Sequence, residues 1–174
     1  MRERRSAGAP GTFAMLASRQ PEPPDPSTLD VRRVLLASEG REIPPRAIEF
    51  AARIAGRSQA PVQVFSIARV HGTSFGFPNP GLLPTRHEWD EQRRLVAAAV
   101  KALKKHGLEA TGHVVGTRKA TKRIVQEAER LDCDAIVMAT DPPRNRLLAD
   151  LMWSQEPYRV RRRARVPVYL IPPT

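Results

Sequence analysis

Four short, apolar, β-branched runs recur along this 174-residue chain: Val34-Leu-Leu-Ala37, Val62-Gln-Val-Phe-Ser-Ile67, Ala135-Ile-Val-Met138 and Val166-Pro-Val-Tyr-Leu-Ile171. Helix-patterned sequence separates most of them, and that alternation predicts βαβ units in a parallel sheet. The last run follows Arg161-Arg162-Arg163-Ala164-Arg165 and has only Pro172, Pro173 and Thr174 after it. It reads as a closing strand. A sheet of this kind takes its ligand outside the carboxyl ends of the strands, where strand order reverses.

The length suits one domain, and 41% hydrophobic residues can fill one core. No run approaches 18 apolar residues, so no membrane span is expected. The opening MRERRSAGAPGTFAMLAS is charged like a signal peptide, but its apolar stretch is short and broken by Gly11 and Thr12. The expected location is the cytoplasm. Cys133 is the only cysteine, which excludes an internal disulfide and a thiolate cluster, and it reads as a small residue at the core edge.

The net charge of +11 is unevenly spread. Residues 144–174 hold seven Arg against two acids, with Arg159, Arg161, Arg162, Arg163 and Arg165 crowded together. Such a patch can attract phosphate or nucleic acid. Without interleaved aromatics or a nucleic-acid motif, the simpler expectation is a solvated helix end facing the negative pole of the helix dipole.

Residues 1–28, rich in Pro, Ser, Gly and Arg, are expected to form a disordered tail, with Met15 a second possible start. The domain then occupies 29–174. Strand one is expected at Val31–Ser38, with Glu39-Gly40-Arg41 as its exit. A helix opens at Pro44-Pro45, carries Ile48, Ala51, Ala52 and Ala55 on one stripe, and ends at Gly56. Strand two is Val62–Ala68. The irregular stretch Arg69–Arg86 is long enough to be functional, and Phe75, Phe77, Leu82 and Leu83 mark it for packing. A second helix runs from Glu88 to Gly107, with Trp89, Val96, Ala99, Val100 and Leu103 inward. Strand three is Ala110–Val115, a third helix spans Ala120–Leu131, and strand four is Ala135–Thr140. Leu147, Leu148, Leu151 and Met152 outline a short helical segment. Ser154 is a candidate N-cap for a last helix carrying Tyr158 and Val160, with Pro157 in its first turn.

This order of elements resembles the universal stress protein family across nearly all of residues 31–173. The resemblance is carried by strand one with Glu39-Gly40, by Asp134-Ala-Ile-Val-Met138 and by Arg165-Val-Pro-Val-Tyr-Leu-Ile171. It implies an α/β fold of the adenine nucleotide α-hydrolase-like type: a five-stranded parallel sheet in order 3-2-1-4-5 with helices on both faces. It also implies a homodimer joined through the last strand, with Val166, Val168, Tyr169, Leu170 and Ile171 at the seam, since an edge strand offers unpaired backbone groups.

In that order the crevice lies between strands one and four. Its candidate nucleotide-binding residues are Ser38, Glu39 and Gly40 on one side, and Ala139, Thr140, Asp141, Arg144, Arg146 and Ser154 on the other. Members of the family that bind ATP carry Gly-x-x-Gly, nine residues, then Gly followed by Ser or Thr, so that backbone N–H groups reach the phosphates unhindered. Here Ala139, Pro142 and Trp153 stand where those glycines fall, and the spacer is one residue longer. Pro142 and Pro143 remove two N–H donors. Glu39 stands where those members have Asp, and with Asp141 it would put two carboxylates against a triphosphate, partly offset by Arg144 and Arg146.

Catalytic and metal signatures are not found. His71, His87, His106 and His113 lack zinc-helix spacing, and no Gly-x-Ser-x-Gly elbow occurs. Glu39 and Asp141 could act as acid and base, but polar residues at strand exits are usually helix caps or solvated. The sequence therefore predicts a non-enzymatic, cytoplasmic, stress-response homodimer without a cofactor, binding ATP weakly or not at all and acting through protein partners. The alternatives are an ATP-binding sensor using Arg144, Arg146 and Ser154, and an anion or nucleic-acid module using the C-terminal arginines.

Overall fold

A computed structural model describes residues 23–69, 84–140 and 155–172. Its strands are β1 (Val34–Ser38), β2 (Val62–Arg69), β3 (Ala110–Thr117), β4 (Ala135–Ala139) and β5 (Val168–Ile171). They form one sheet in order β3-β2-β1-β4-β5, every pairing parallel, as expected. The described helices are α1 (Pro45–Ser58), α2 (Arg86–Lys105), α3 (Ala120–Arg130) and α4 (Glu156–Arg163).

Strand alternation sends successive side chains to opposite faces, and both faces are covered. Val34, Leu36, Val62, Val64 and Val137 join a core with Ala51 and Ile54 of α1 and with Val96 and Leu103 of α2. Leu35, Ala37, Phe65, Ile67, Ile136 and Met138 join a second core with Ile124 of α3 and Val160 of α4. Cys133 is buried in the second core, and burial pushes its thiol up to about 12. On the first face α2 lies close to β3, because β3 presents Gly112 there. A Cβ at Gly112 would sit 2.5 Å from Val96 Cγ1 and 3.0 Å from the Val64 carbonyl oxygen.

Element ends differ from expectation where side chains intervene. β1 begins at Val34, not Val31, because the N–H groups of Arg32 and Arg33 donate to the Asp134 carboxylate at 2.6 and 3.0 Å. α1 runs past Gly56 to Ser58, since Gln59 adopts the left-handed conformation (φ 53°) and its N–H caps the Ala55 carbonyl. α2 starts at Arg86, two residues before Glu88, because Thr85 and Glu88 form a reciprocal capping box. Gln155 is the N-cap of α4, which places the cap one residue beyond Ser154; Pro157 does lie in the first turn. β5 is confined to Val168–Ile171, so Val166 precedes the strand.

Of the stretch 1–28, residues 23–28 are described. Pro26–Thr28 forms a 3₁₀ turn capped by Asp25, and the Tyr169 hydroxyl donates to the Pro24 carbonyl at 2.8 Å. The helical segment expected around Leu147–Met152 and the apolar residues Phe75, Phe77, Leu82 and Leu83 lie outside the described residues.

A candidate nucleotide crevice at the strand-order reversal

β1 and β4 are neighbours in register, Ala37 opposite Met138, and the chain leaves them in opposite directions toward β2 and β5. Their carboxyl ends therefore open the crevice that the strand order requires. Ser38, Glu39, Gly40, Ala139 and Thr140 come together there. Asp141, Arg144, Arg146 and Ser154 lie outside the described residues.

The β1 exit is a locked turn. The Ser38 hydroxyl donates to the Arg41 carbonyl at 2.6 Å and accepts from the N–H groups of Gly40 (3.2 Å) and Arg41 (3.0 Å). Gly40 takes φ +101°, a conformation that side chains disfavour. Glu39 is buried, its side chain 3% exposed, and its carboxylate is ion-paired with the Arg41 guanidinium. A buried charge is costly without a partner, and the guanidinium supplies one. The charge of Glu39, one of the two carboxylates expected to face a phosphate, is thus met within the turn by a residue two positions on. A cavity of about 10 Å³ bounded by Ser38, Glu39, Arg41, Ile43 and Ala139 has room for roughly one water.

Two residues that the sequence reading missed hold this turn from behind. Ser66 of β2 donates its hydroxyl to Gln92 Oε1 at 2.7 Å, and Gln92 Nε2 donates to the Gly40 carbonyl at 3.0 Å. Gln92 falls on the inward stripe of α2 with Val96, Ala99 and Leu103. A polar residue at a core position was the signal, since buried polar groups have partners.

On the other side, Ala139 is half-buried, and the Thr140 N–H donates to the Ile171 carbonyl at 2.8 Å. That bond commits one backbone donor of the β4 exit to β5. Among the described residues no three His, Cys, Asp or Glu side chains converge as a metal site.

A second polar cluster lies on the opposite face. The fully buried Glu127 of α3 meets His113 Nε2 at 3.2 Å, Arg130 at 2.6 Å and Arg123 at 3.6 Å. Burial works against its charge, but the Arg130 hydrogen bond and the neighbouring His113 and arginines hold its carboxyl below the usual range. At the N-terminus of α3, Glu156 of α4 accepts from the Thr121 N–H at 2.9 Å and from the Thr121 hydroxyl. Lys119 provides no side-chain cap, so the cap comes from a neighbouring helix.

In the C-terminal cluster, Arg159, Arg162 and Arg163 are exposed and share a helix face at i, i+3, i+4 spacing, while Arg159 also pairs with Glu156 at 3.3 Å. No described helix is long and apolar enough to cross a membrane.

The parallel order β3-β2-β1-β4-β5, with its crevice between β1 and β4, defines a doubly wound α/β domain of the nucleotide-crevice class. The sequence pattern of the universal stress protein family matches residues 30–172, and the chain belongs to that family. Solved structures agree in fold. A universal stress protein from Archaeoglobus fulgidus is 22% identical, covering 80% of this chain and 92% of that one, with a TM-score of 0.60. A structure of the universal stress protein from Archaeoglobus fulgidus in complex with dAMP gives 22% identity, 80% and 96% coverage and a TM-score of 0.59. A universal stress protein in complex with cAMP gives 17%, 84% and 100%, and 0.60. No curated protein matches the chain in sequence.

Proposed function

We propose that this chain is a non-enzymatic, cytoplasmic stress-response protein that works as a homodimer and acts by binding protein partners. Its crevice takes ATP weakly or not at all. The observation that supports this reading is the closed β1 exit: Glu39 is buried against Arg41, and all three Ser38 hydrogen bonds stay inside the turn. The sequence adds Ala139, Pro142 and Trp153 where ATP-binding relatives are expected to have glycine. With its hydroxyl so engaged, Ser38 is a poor nucleophile. β5 is an edge strand, which supports it as the dimer seam. Val168 and Tyr169 are buried within the chain, so the seam would be built from backbone groups with Leu170 and Ile171 beside them.

The ATP-sensor alternative is favoured by one observation: solved structures of this fold include complexes with dAMP and cAMP. It would use Arg144, Arg146 and Ser154. The exposed face of Arg159, Arg162 and Arg163 favours the anion-binding alternative. The deciding experiment is to purify the protein from its own cells, denature it and assay the released adenine nucleotide. Well below one nucleotide per chain is expected; close to one per chain overturns the leading proposal in favour of the sensor.

A further inference from the structure

Among the described residues the sheet has a second edge, β3, and it is longer than β5. β3 spans eight residues, and no described strand lies beyond it. The Val62 N–H donates to the Glu109 carbonyl at 2.9 Å, with Val62 opposite Ala110. In a parallel ladder that register turns the backbone groups of Thr111, His113 and Val115 toward β2 and those of Gly112, Val114 and Gly116 outward. Edge strands are ordinarily blunted by lysine, proline, a bulge or shortness. β3 contains neither lysine nor proline, and its pairing with β2 is unbroken over eight positions. β5, by contrast, has four residues set between Pro167 and Pro172.

Beside the outward row, α2 leaves a groove of about 480 Å³ with Val96, Ala97, Val100 and Val114 in its lining and Arg93 at its polar end. Gly112 and Gly116 are exposed. The surroundings are strongly basic: residues 92–126 hold nine Lys and Arg and a single acid, Glu109. Arg93, Arg94, Lys101, Arg118, Lys119 and Lys122 are all exposed, and Asp90 offsets Arg93 in part.

We infer that β3 accepts an extended, acidic peptide segment of a partner protein as a sixth strand. The outward groups of Gly112, Val114 and Gly116 supply the main-chain bonds, the groove takes small apolar side chains at alternate positions, and the lysines and arginines take the carboxylates. A second copy of this chain would set nine cations against nine. Residues 1–22 of the chain itself carry four Arg against two acids and are opposed in the same way. Nucleic acid would use the charge but neither the apolar lining nor the strand edge. The inference rests on the protein-partner part of the proposed function and names the partner class; it is independent of the crevice and of β5.

The test is fluorescence anisotropy on the full chain with a labelled peptide of about ten residues alternating Glu and Val. Comparison probes are a proline-interrupted version, a Lys/Val version and a single-stranded oligonucleotide of equal charge. The Glu/Val peptide is expected to bind on the order of tenfold more tightly than each comparison probe, a difference of about 1.4 kcal/mol. Val114→Pro removes an outward N–H at an edge position, where proline is tolerated, and should weaken binding by a similar factor. The double variant Lys101→Glu/Lys122→Glu should do the same without moving the thermal midpoint. Should Val114→Pro fail to fold, the charge variant and the interrupted peptide still decide. Equal binding of the interrupted peptide, tighter binding of the oligonucleotide, or no peptide binding at about 1 mM overturns the inference. Released nucleotide near one per chain would instead overturn the proposed function, whatever the peptide does.

Discussion

Gln92, on the buried face of α2, donates to the Gly40 carbonyl at 3.0 Å and accepts from Ser66 at 2.7 Å, tying the first crevice turn to the neighbouring strand and helix. Gln92→Leu keeps the volume but leaves the Ser66 hydroxyl and the Gly40 carbonyl without that partner. The expected cost is about 1–3 kcal/mol. Urea unfolding of wild type and variant measures it, and a cost near zero would mean that the chain from Ser66 to Gly40 does not hold the turn.

Glu156 caps α3 from another helix, and the same contact joins α3 to α4. Glu156→Ala should cost roughly 0.5–2 kcal/mol, the range of a lost N-cap. Hydrogen exchange should show the loss first at the Thr121 amide.

Stability should fall in acid partly through Asp134. Burial opposes its ionisation, but hydrogen bonds from the Arg32 and Arg33 N–H groups and the Arg32 guanidinium hold its carboxyl below the usual range. A carboxyl lowered in the folded state stabilises above its unfolded pKa, about 4, and loses that contribution as pH falls through the folded value. Glu127 is shifted in the same direction. Asp134→Asn should cost roughly 1–2 kcal/mol near pH 7, and the gap from wild type should shrink steadily below pH 4. A gap that stays constant down to pH 2 would assign the cost to shape, not charge.

The proposed β5 seam can be tested through its backbone. Ile136 and Thr140 N–H groups bond to the Pro167 and Ile171 carbonyls, so Val168 and Leu170 turn their N–H groups away from β4. Leu170→Pro removes an outward donor while sparing that ladder. Sedimentation should show a dimer for wild type and a monomer for the variant. A folded variant that remains dimeric would place the seam elsewhere.

The sheet was legible because each strand announces itself locally: β1 and β4 are buried along nearly their whole length, so their sequences are unbroken apolar runs. β3 was read two residues short because its pattern mixes Gly112, His113 and Gly116 with apolar residues, as an edge permits. The crevice was located from the strand order that the family resemblance implied, which the sheet bears out. Its electrostatics were not, because the ion pair of Glu39 depends on where Arg41 folds back, and no periodicity encodes that. Gln92 and Glu127 were visible only as polar residues on apolar stripes. Their partners come from elements 26 and 14 positions away: Ser66 on β2 and His113 on β3.

Titration calorimetry with ATP and magnesium on the full chain tests most directly the proposal that the crevice is closed to ordinary ATP binding. Binding no tighter than about millimolar, roughly −4 kcal/mol, is the expected result. A repeat on residues 23–174 separates the crevice from the basic N-terminus as a source of anion binding. A micromolar constant in both, lost on Arg144→Ala or Arg146→Ala, would contradict the proposal and make this member a nucleotide sensor.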